Sequence, residues 1–292
     1  MPSLRQRVFP LALSLLLAAC ASSTQQGAVG IQRQQFLLLP ASETDAMGLQ
    51  YYRGEQQKAR GKNALNTDKA MLERLRVIAD RLIPQTAVFR PDAAGWQWEV
   101  NLETRNELNA YCAPGGKIMF FTGIVNQLRL TDDEIAAIMG HEIAHALREH
   151  SRERMSQAYA KDIGFTLLSR AAGLSATSVQ LAQLGSQVFL ELPHGRGQET
   201  EADIIGLELL ARAGYNPNAA ISLWQKMGQA TGGGQGSFMS THPSGQQRIE
   251  DLSARLPQVM PLYEQARRQK APVRAIVPRT AAQSSQVSAA LG

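Results

Sequence analysis

The sequence predicts a mostly helical α+β domain with a small antiparallel β-sheet packed beside its helices. Three observations predict it. Apolar residues recur at helical spacing over Thr67–Ile83 and again around 132–159 and 199–213. Trp96–Leu102 alternates as a half-buried strand does, and residues 108–121 read as two strands about the turn Pro114-Gly115-Gly116. With 292 residues, 44% of them hydrophobic, the chain is long enough to bury a substantial core.

The first segment lies outside that core. Arg5 and Arg7 precede a short apolar stretch, Val8–Ala19, that ends in Leu17-Ala18-Ala19-Cys20. The stretch is too short to cross a bilayer comfortably. Its ending resembles a bacterial lipobox, which implies that residues 1–19 are a lipoprotein signal peptide, cleaved before Cys20, whose thiol and new amino terminus are lipidated. Ala21 rather than Asp follows, which in the bacterial sorting rule implies the periplasmic face of the outer membrane. Residues 20–44 are expected to form the lipidated cysteine and a flexible tether, since 21–35 are rich in Ser, Thr, Gln and Gly. The folded domain is expected over 45–262 and a basic, disordered tail over 263–292.

Within the domain, Leu72, Leu75, Ile78, Ala79 and Leu82 form one helical stripe that Thr67 and Asp68 start and Pro84 stops. Thr122-Gly123 opens a short helix. Thr131 and Glu134 form a capping box before a helix running from Asp132 to about Tyr159, with acidic Asp132, Asp133 and Glu134 at the positive end of its dipole. Residues 162–192 are apolar and small but interrupted by Arg170, which favours buried helices over a membrane span. A helix over about Glu199–Ala213 ends at Gly214, and Asn216-Pro217 caps another through Gly228. A glycine-rich stretch, Thr231–Gly236, leads to Ser240-Thr241-His242-Pro243 and a helix from Ser244 to Leu256.

The formal charge of +5 does not indicate nucleic acid. Without Arg5 and Arg7 it is +3, while residues 265–292 hold five basic residues and no acid, leaving the body before them at about −2. Cys20 and Cys112 are the two cysteines; with Cys20 lipidated, Cys112 reads as a small buried apolar residue, the alternative being an intermolecular disulfide.

The chemistry concentrates in His141-Glu142-Ile143-Ala144-His145. Four residues advance a helix by about 400°, so the two imidazoles share one face and can bind one Zn²⁺, while Glu142, about 100° round, can reach water beside it. A catalytic zinc takes three protein ligands and an open position. Gln198-Glu199-Thr200-Glu201-Ala202-Asp203 is the place to look for the third.

At these residues the chain resembles the HtpX-like and CAAX-prenyl-protease-like zinc metallopeptidases, whose signature is HExxH followed some fifty or more residues later by ExxAD. The resemblance covers roughly residues 45–256. It extends to Asn109–Ile118, which is similar to the strand before the metal helix, and to Ser240–Pro243 with Arg248-Ile249. Within the family, the chain is similar to the short lipoprotein form of LoiP type. Pro193-His194-Gly195-Arg196 departs from the pattern. The resemblance implies a zincin-type domain holding one Zn²⁺ through His141, His145 and Glu199. It implies Glu142 as general base and Asp203 as the second catalytic acid, orienting or assisting the site. Glu199 is preferred to Glu201 by its spacing to Ala202-Asp203. The strand is expected to pair with an extended substrate.

The remaining histidines have separate expectations. His150, nine residues from His141, would face off the site on a straight helix. His194 is expected to serve its loop. His242 is either a hydrogen-bonded junction residue or a group that masks the open metal position or stabilises the oxyanion. Together these readings predict a lipid-anchored zinc endopeptidase acting on unfolded or misassembled envelope proteins. The alternative is an outer-membrane chaperone or assembly factor with a latent, masked zinc site. Prenyl-protein processing within the membrane is disfavoured because the multiple spans are missing.

Overall fold

The stripe read from Leu72, Leu75, Ile78, Ala79 and Leu82 is the buried face of a helix whose N-cap Asp68 accepts a hydrogen bond from the Met71 amide at 2.9 Å. That helix packs on the central one. The computed structural model describes residues 20–171, 194–230, 237–242 and 245–269. In chain order the elements are β1 (Cys20–Ala21), β2 (Gln35–Phe36), α1 (Ala41–Gly61), α2 (Lys69–Leu82), β3 (Glu99–Glu103), β4 (Ala110–Ala113) and β5 (Lys117–Phe121). They continue with α3 (Thr122–Gln127), α4 (Asp132–Leu147), α5 (His150–Ala171), α6 (Arg196–Arg212), α7 (Asn218–Ala230), α8 (Ser237–Thr241) and α9 (Gln246–Gln269).

The predicted α+β class holds, with a mixed sheet. β4 and β5 form the expected antiparallel hairpin, and Gly115 and Gly116 make its turn with φ of +73° and +78°, a region side chains avoid. β3 then joins β5 in parallel, giving the order β3-β5-β4. The sheet is therefore not wholly antiparallel, because the chain crosses over from β3 to β4 before folding back on β5. Among the described residues β4 has no strand on its other side.

α4 runs through the middle of the molecule. From Glu134 to Leu147 every residue is buried, as suits a helix packed on all sides. The expected capping box starts it: the Glu134 amide donates to Thr131 Oγ1 at 3.3 Å, and the Thr131 amide to Glu134 Oε2 at 2.9 Å. α6 crosses it at Gly140 and Gly206. A Cβ on Gly206 would lie 2.9 Å from the His141 amide nitrogen, closer than side chains tolerate, so two glycines let the backbones touch. This crossing brings the two sequence motifs together.

Three further expectations change. First, the metal-motif helix does not run unbroken to Tyr159. Glu149 takes a left-handed φ of +48° and α5 starts afresh at His150. The carbonyls freed at the break find tertiary partners: Ser23 Oγ donates to Leu147 O at 3.2 Å, and Gln35 Nε2 donates to Arg148 O. Second, α9 continues past Leu256 to Gln269, through Pro257 and Pro261, because Val259 and Leu262 pack on the core and offset the two absent N–H groups. Residues 263–269 of the expected tail are thus helical, and the rest of it, the signal peptide and the glycine-rich stretch lie outside the described residues.

Third, residues 20–44 are not a slack tether. Residues 22–39 lie along the body as a strap, and α1 begins at Ala41. The reason is Arg148, whose side chain is wholly buried. All five of its donors are matched: Nε and Nη2 to Glu201 at 3.0 and 3.1 Å, Nη1 to Ser22 and Thr24 hydroxyls at 3.0 and 3.1 Å, and Nη2 to Arg33 O at 3.0 Å. The strap supplies three of those five acceptors. A buried charge left unmatched is strongly destabilising, so the polar residues that suggested a tether are required where they lie. Further along, the amides of Ala28 and Val29 donate to the buried carboxylate of Glu208 at 3.1 and 3.0 Å.

No helix among the described residues is long and apolar enough to cross a membrane.

Candidate metal centre

The face of α4 that meets α6 carries His141 and His145, one turn apart and both buried. Their Nε2 atoms lie 3.0 Å from each other. α6 brings Glu199 to the same point, with Oε1 3.3 Å from His145 Nε2 and Oε2 3.5 Å from His141 Nε2. His242, just past α8, completes the group, its Nδ1 3.0 Å from Glu199 Oε1 and 3.2 Å from His141 Nε2. The short helix holds it there, since the His242 amide donates to Phe238 O at 2.8 Å and the two rings stack.

The outer nitrogens show what this group requires. His141 Nδ1 lies 3.0 Å from Asp203 Oδ1, and His145 Nδ1 lies 2.8 Å from His150 Nδ1. With a proton on each Nδ1, both Nε2 atoms present bare lone pairs toward a carboxylate. Such a convergence calls for positive charge at its centre. Burial works against a charged His141, yet Asp203 and Glu199 outweigh it and lift the ring to about 9. Burial would also raise Glu199, but His242, His141 and His145 hold it well below the usual carboxylate range. Ligands at zinc distances of about 2.0–2.2 Å in a tetrahedron stand roughly 3.3–3.5 Å apart, close to the separations found. His141, His145, Glu199 and His242 therefore fit a zinc ion.

Glu142 lies beside the group, buried, with Oε1 3.5 Å from His242 Nε2. Burial raises its pKa, against the opposing pull of His242 and His141. Asp203 does not face the cleft. Its carboxylate meets His141 and Arg248, which donates through Nε at 2.7 Å and Nη2 at 2.6 Å. Arg248 also reaches Glu199 Oε2 at 2.8 Å and lies over the Trp224 ring. β4 borders a cleft whose lining includes Glu142, His145, His242 and Arg154.

His141, His145, Glu199 and His242 thus converge. Glu201 points away, as its spacing implies, and bonds to His150, Arg148 and Arg33. His150 does not face off the site: the break at Glu149 invalidates straight-helix counting and returns its ring to His145. His194 does more than serve its loop, for its ring centroid lies 3.9 Å from that of His145. Arg148, Arg33 and the carboxylate-holding role of Arg248 were missed, and only the Arg248-Ile249 likeness gave any signal. Cys112 is a buried free thiol, as its apolar reading implied.

Comparison with known proteins agrees with this geometry. The chain is 39% identical over 159 residues to the mitochondrial metalloendopeptidase OMA1 of Arabidopsis thaliana, covering 54% of this chain and 32% of that one. It is 35% identical over 180 residues to OMA1 of Saccharomyces cerevisiae, covering 59% and 51%. Against the metalloprotease LoiP of Escherichia coli it is 26% identical over 152 residues, covering 51% and 59%. The match thus spans about a third to three fifths of these relatives' lengths. The model of peptidase family M48 matches residues 70–256, which include both metal motifs, His242 and Arg248, and the chain belongs to that family.

Proposed function

We propose that this protein is a zinc-dependent endopeptidase that cleaves unfolded or misassembled proteins of the bacterial envelope. One observation carries the reaction class: two imidazole nitrogens and a carboxylate converge within 3.5 Å, with the carboxyl of Glu142 beside them at the floor of a strand-edged cleft. Zinc held there supplies a Lewis acid that acidifies water and polarises a carbonyl. Glu142 takes a proton from the attacking water and returns it to the leaving amine, and its raised pKa suits both transfers. Arg248 and Asp203 keep His141 in the tautomer that binds metal. β4 borders the cleft and has no strand on its outer side among the described residues, and a peptide paired there through backbone groups supports a substrate chosen for being unfolded rather than for its sequence.

The lipobox-like ending at Cys20 supports anchoring at the periplasmic face of the outer membrane. Because Cys20 pairs with Phe36 in the strap, such an anchor would leave little slack between lipid and body. His242 among the ligands supports a masked site, in which this ring must leave before substrate enters. That same observation favours the second reading, a chaperone or assembly factor whose zinc site is latent.

Cleavage of casein by residues 21–292, with bound metal quantified in the same sample, tests the proposal. Zinc near one equivalent is expected, with cleavage lost on chelation. Glu142→Gln is expected to keep zinc and lose about 10²–10⁴-fold in turnover. Zinc without cleavage supports the latent reading, and His242→Ala should then release activity. A Glu142→Gln protein with full activity would overturn the assignment.

A further inference from the structure

His141 and His145 are both ligands, yet only His141 meets a carboxylate through its second nitrogen. His145 meets another histidine. Its Nδ1 lies 2.8 Å from Nδ1 of His150, and Nε2 of His150 lies 3.0 Å from Glu201 Oε2. The side chain of His150 is fully buried and that of Glu201 only 6% exposed.

The hydrogens along this chain have one arrangement that leaves both rings neutral. With Nε2 of His145 turned to the metal, its proton sits on Nδ1 and donates to His150 Nδ1. His150 then carries its proton on Nε2 and donates it to Glu201. The chain ends on an anion, and that anion is held by two guanidinium groups. Arg148 reaches Glu201 at 3.0 and 3.1 Å. Arg33, from the strap, reaches it at 2.7 and 3.0 Å, and also bonds to both oxygens of Glu153 at 2.6 and 2.8 Å. Gln198 ties Glu153 back to α6, one residue before Glu199, at 2.8 Å.

We propose that His150, Glu201 and Arg33 form a positioning relay for the metal ligand His145, so that the strap over residues 22–39 is a working part of the metal centre. The inference rests on the metal-site half of the proposed function and not on hydrolysis. A ligating histidine whose second nitrogen is held binds metal better, because its tautomer and orientation are fixed beforehand. Here that partner is supplied in series by α5, α6 and a segment more than a hundred residues upstream of either motif end. Arg33 touches neither ligand nor cleft and acts through the carboxylates of Glu201 and Glu153.

The test is zinc affinity of the chain from residue 21 onward, read by competition with a chromogenic chelator, with unfolding of the metal-free protein followed in parallel. His150→Leu is expected to weaken zinc by about 10- to 100-fold. His150→Gln, whose amide oxygen can accept from His145, should recover part of it. Arg33→Met should weaken zinc several-fold and Arg33→Lys restore it. The visible bands of the cobalt-substituted protein should shift in His150→Leu, which a purely structural role would not cause. Should His150→Leu fail to fold, Arg33→Met still decides, since Arg33 is 39% exposed and its variant retains Arg148 on Glu201. Wild-type zinc affinity in a folded Arg33→Met or His150→Leu protein overturns the relay. A wild-type protein that binds no zinc overturns the site itself, and one that binds zinc without cleaving casein leaves the relay test intact.

Discussion

The two imidazoles on α4 are held from opposite flanks, and the flanks are built differently. On the His141 side the support is short-range and rigid: Asp203 sits one helical turn after Glu199, so one helix delivers a ligand and its neighbour's brace. Arg248 then locks both carboxylates from α9, over the Trp224 ring. On the His145 side three segments cooperate, α5 through His150, α6 through Glu201 and the strap through Arg33. One need, a fixed ring with its lone pair inward, is met once by a local motif and once by long-range assembly. The local solution can be read from spacing. The assembled one cannot.

The largest expected effect lies on the rigid flank. Arg248→Met removes the guanidinium that two buried carboxylates share and leaves the neighbouring histidines alone to balance them, a loss of about 3–5 kcal/mol. Unfolding measured with and without zinc checks it: the loss should shrink when the metal neutralises the same charges. An equal loss in both forms would mean that Arg248 serves the core and not the site. Next comes the hinge between the flanks. Gly206→Ala forces α6 away from α4 and should cost about 1–3 kcal/mol. Since α6 carries Glu199, Glu201 and Asp203, zinc binding should weaken in the same variant, and unchanged zinc affinity would show that the crossing tolerates a methyl group.

The smallest effect belongs to neither flank. Lys226 pairs with Glu134 at 2.6 Å at the start of α4. Burial pushes Glu134 up, but Lys226, the Thr131 amide and Ser222 prevail and hold it below its ordinary value. A carboxylate lowered in the fold stabilises above its unfolded pKa and loses that contribution as pH falls through the folded one. Lys226→Met should therefore lower stability at neutral pH by up to about 1 kcal/mol, and the difference should vanish in acid. Zinc affinity should stay put, which sets a baseline for the variants above.

What the sequence disclosed follows the same division. His141, Glu142 and His145 are legible because a helix fixes their relative angles, and Glu199 with Asp203 because a second helix does. The hairpin is legible because Pro114-Gly115-Gly116 names its own turn. His150 misleads, since counting residues assumes a straight helix and Glu149 breaks it. α1 escapes notice because its buried stripe is Thr44, Gly48, Tyr52, Gln56 and Ala59, spaced as a helix but mostly without large apolar side chains. The strap reads as a tether because Ser22, Thr24 and Gln35 are as suitable for water as for a buried guanidinium. Composition cannot tell which partner a hydroxyl will find.

The strap also imposes an order of events on the chain. Arg33 and Glu201 stand 168 positions apart, and Val29 and Glu208 stand 179 apart. The strap leads the chain and must wait for partners that follow it by 168 residues or more. Contacts this distant in the chain close late and slowly. Throughout that wait the segment must remain soluble and unpaired, and afterwards it must satisfy a buried cation. Short polar side chains meet both demands, so residues suited to an idle arm are also those suited to the final clasp.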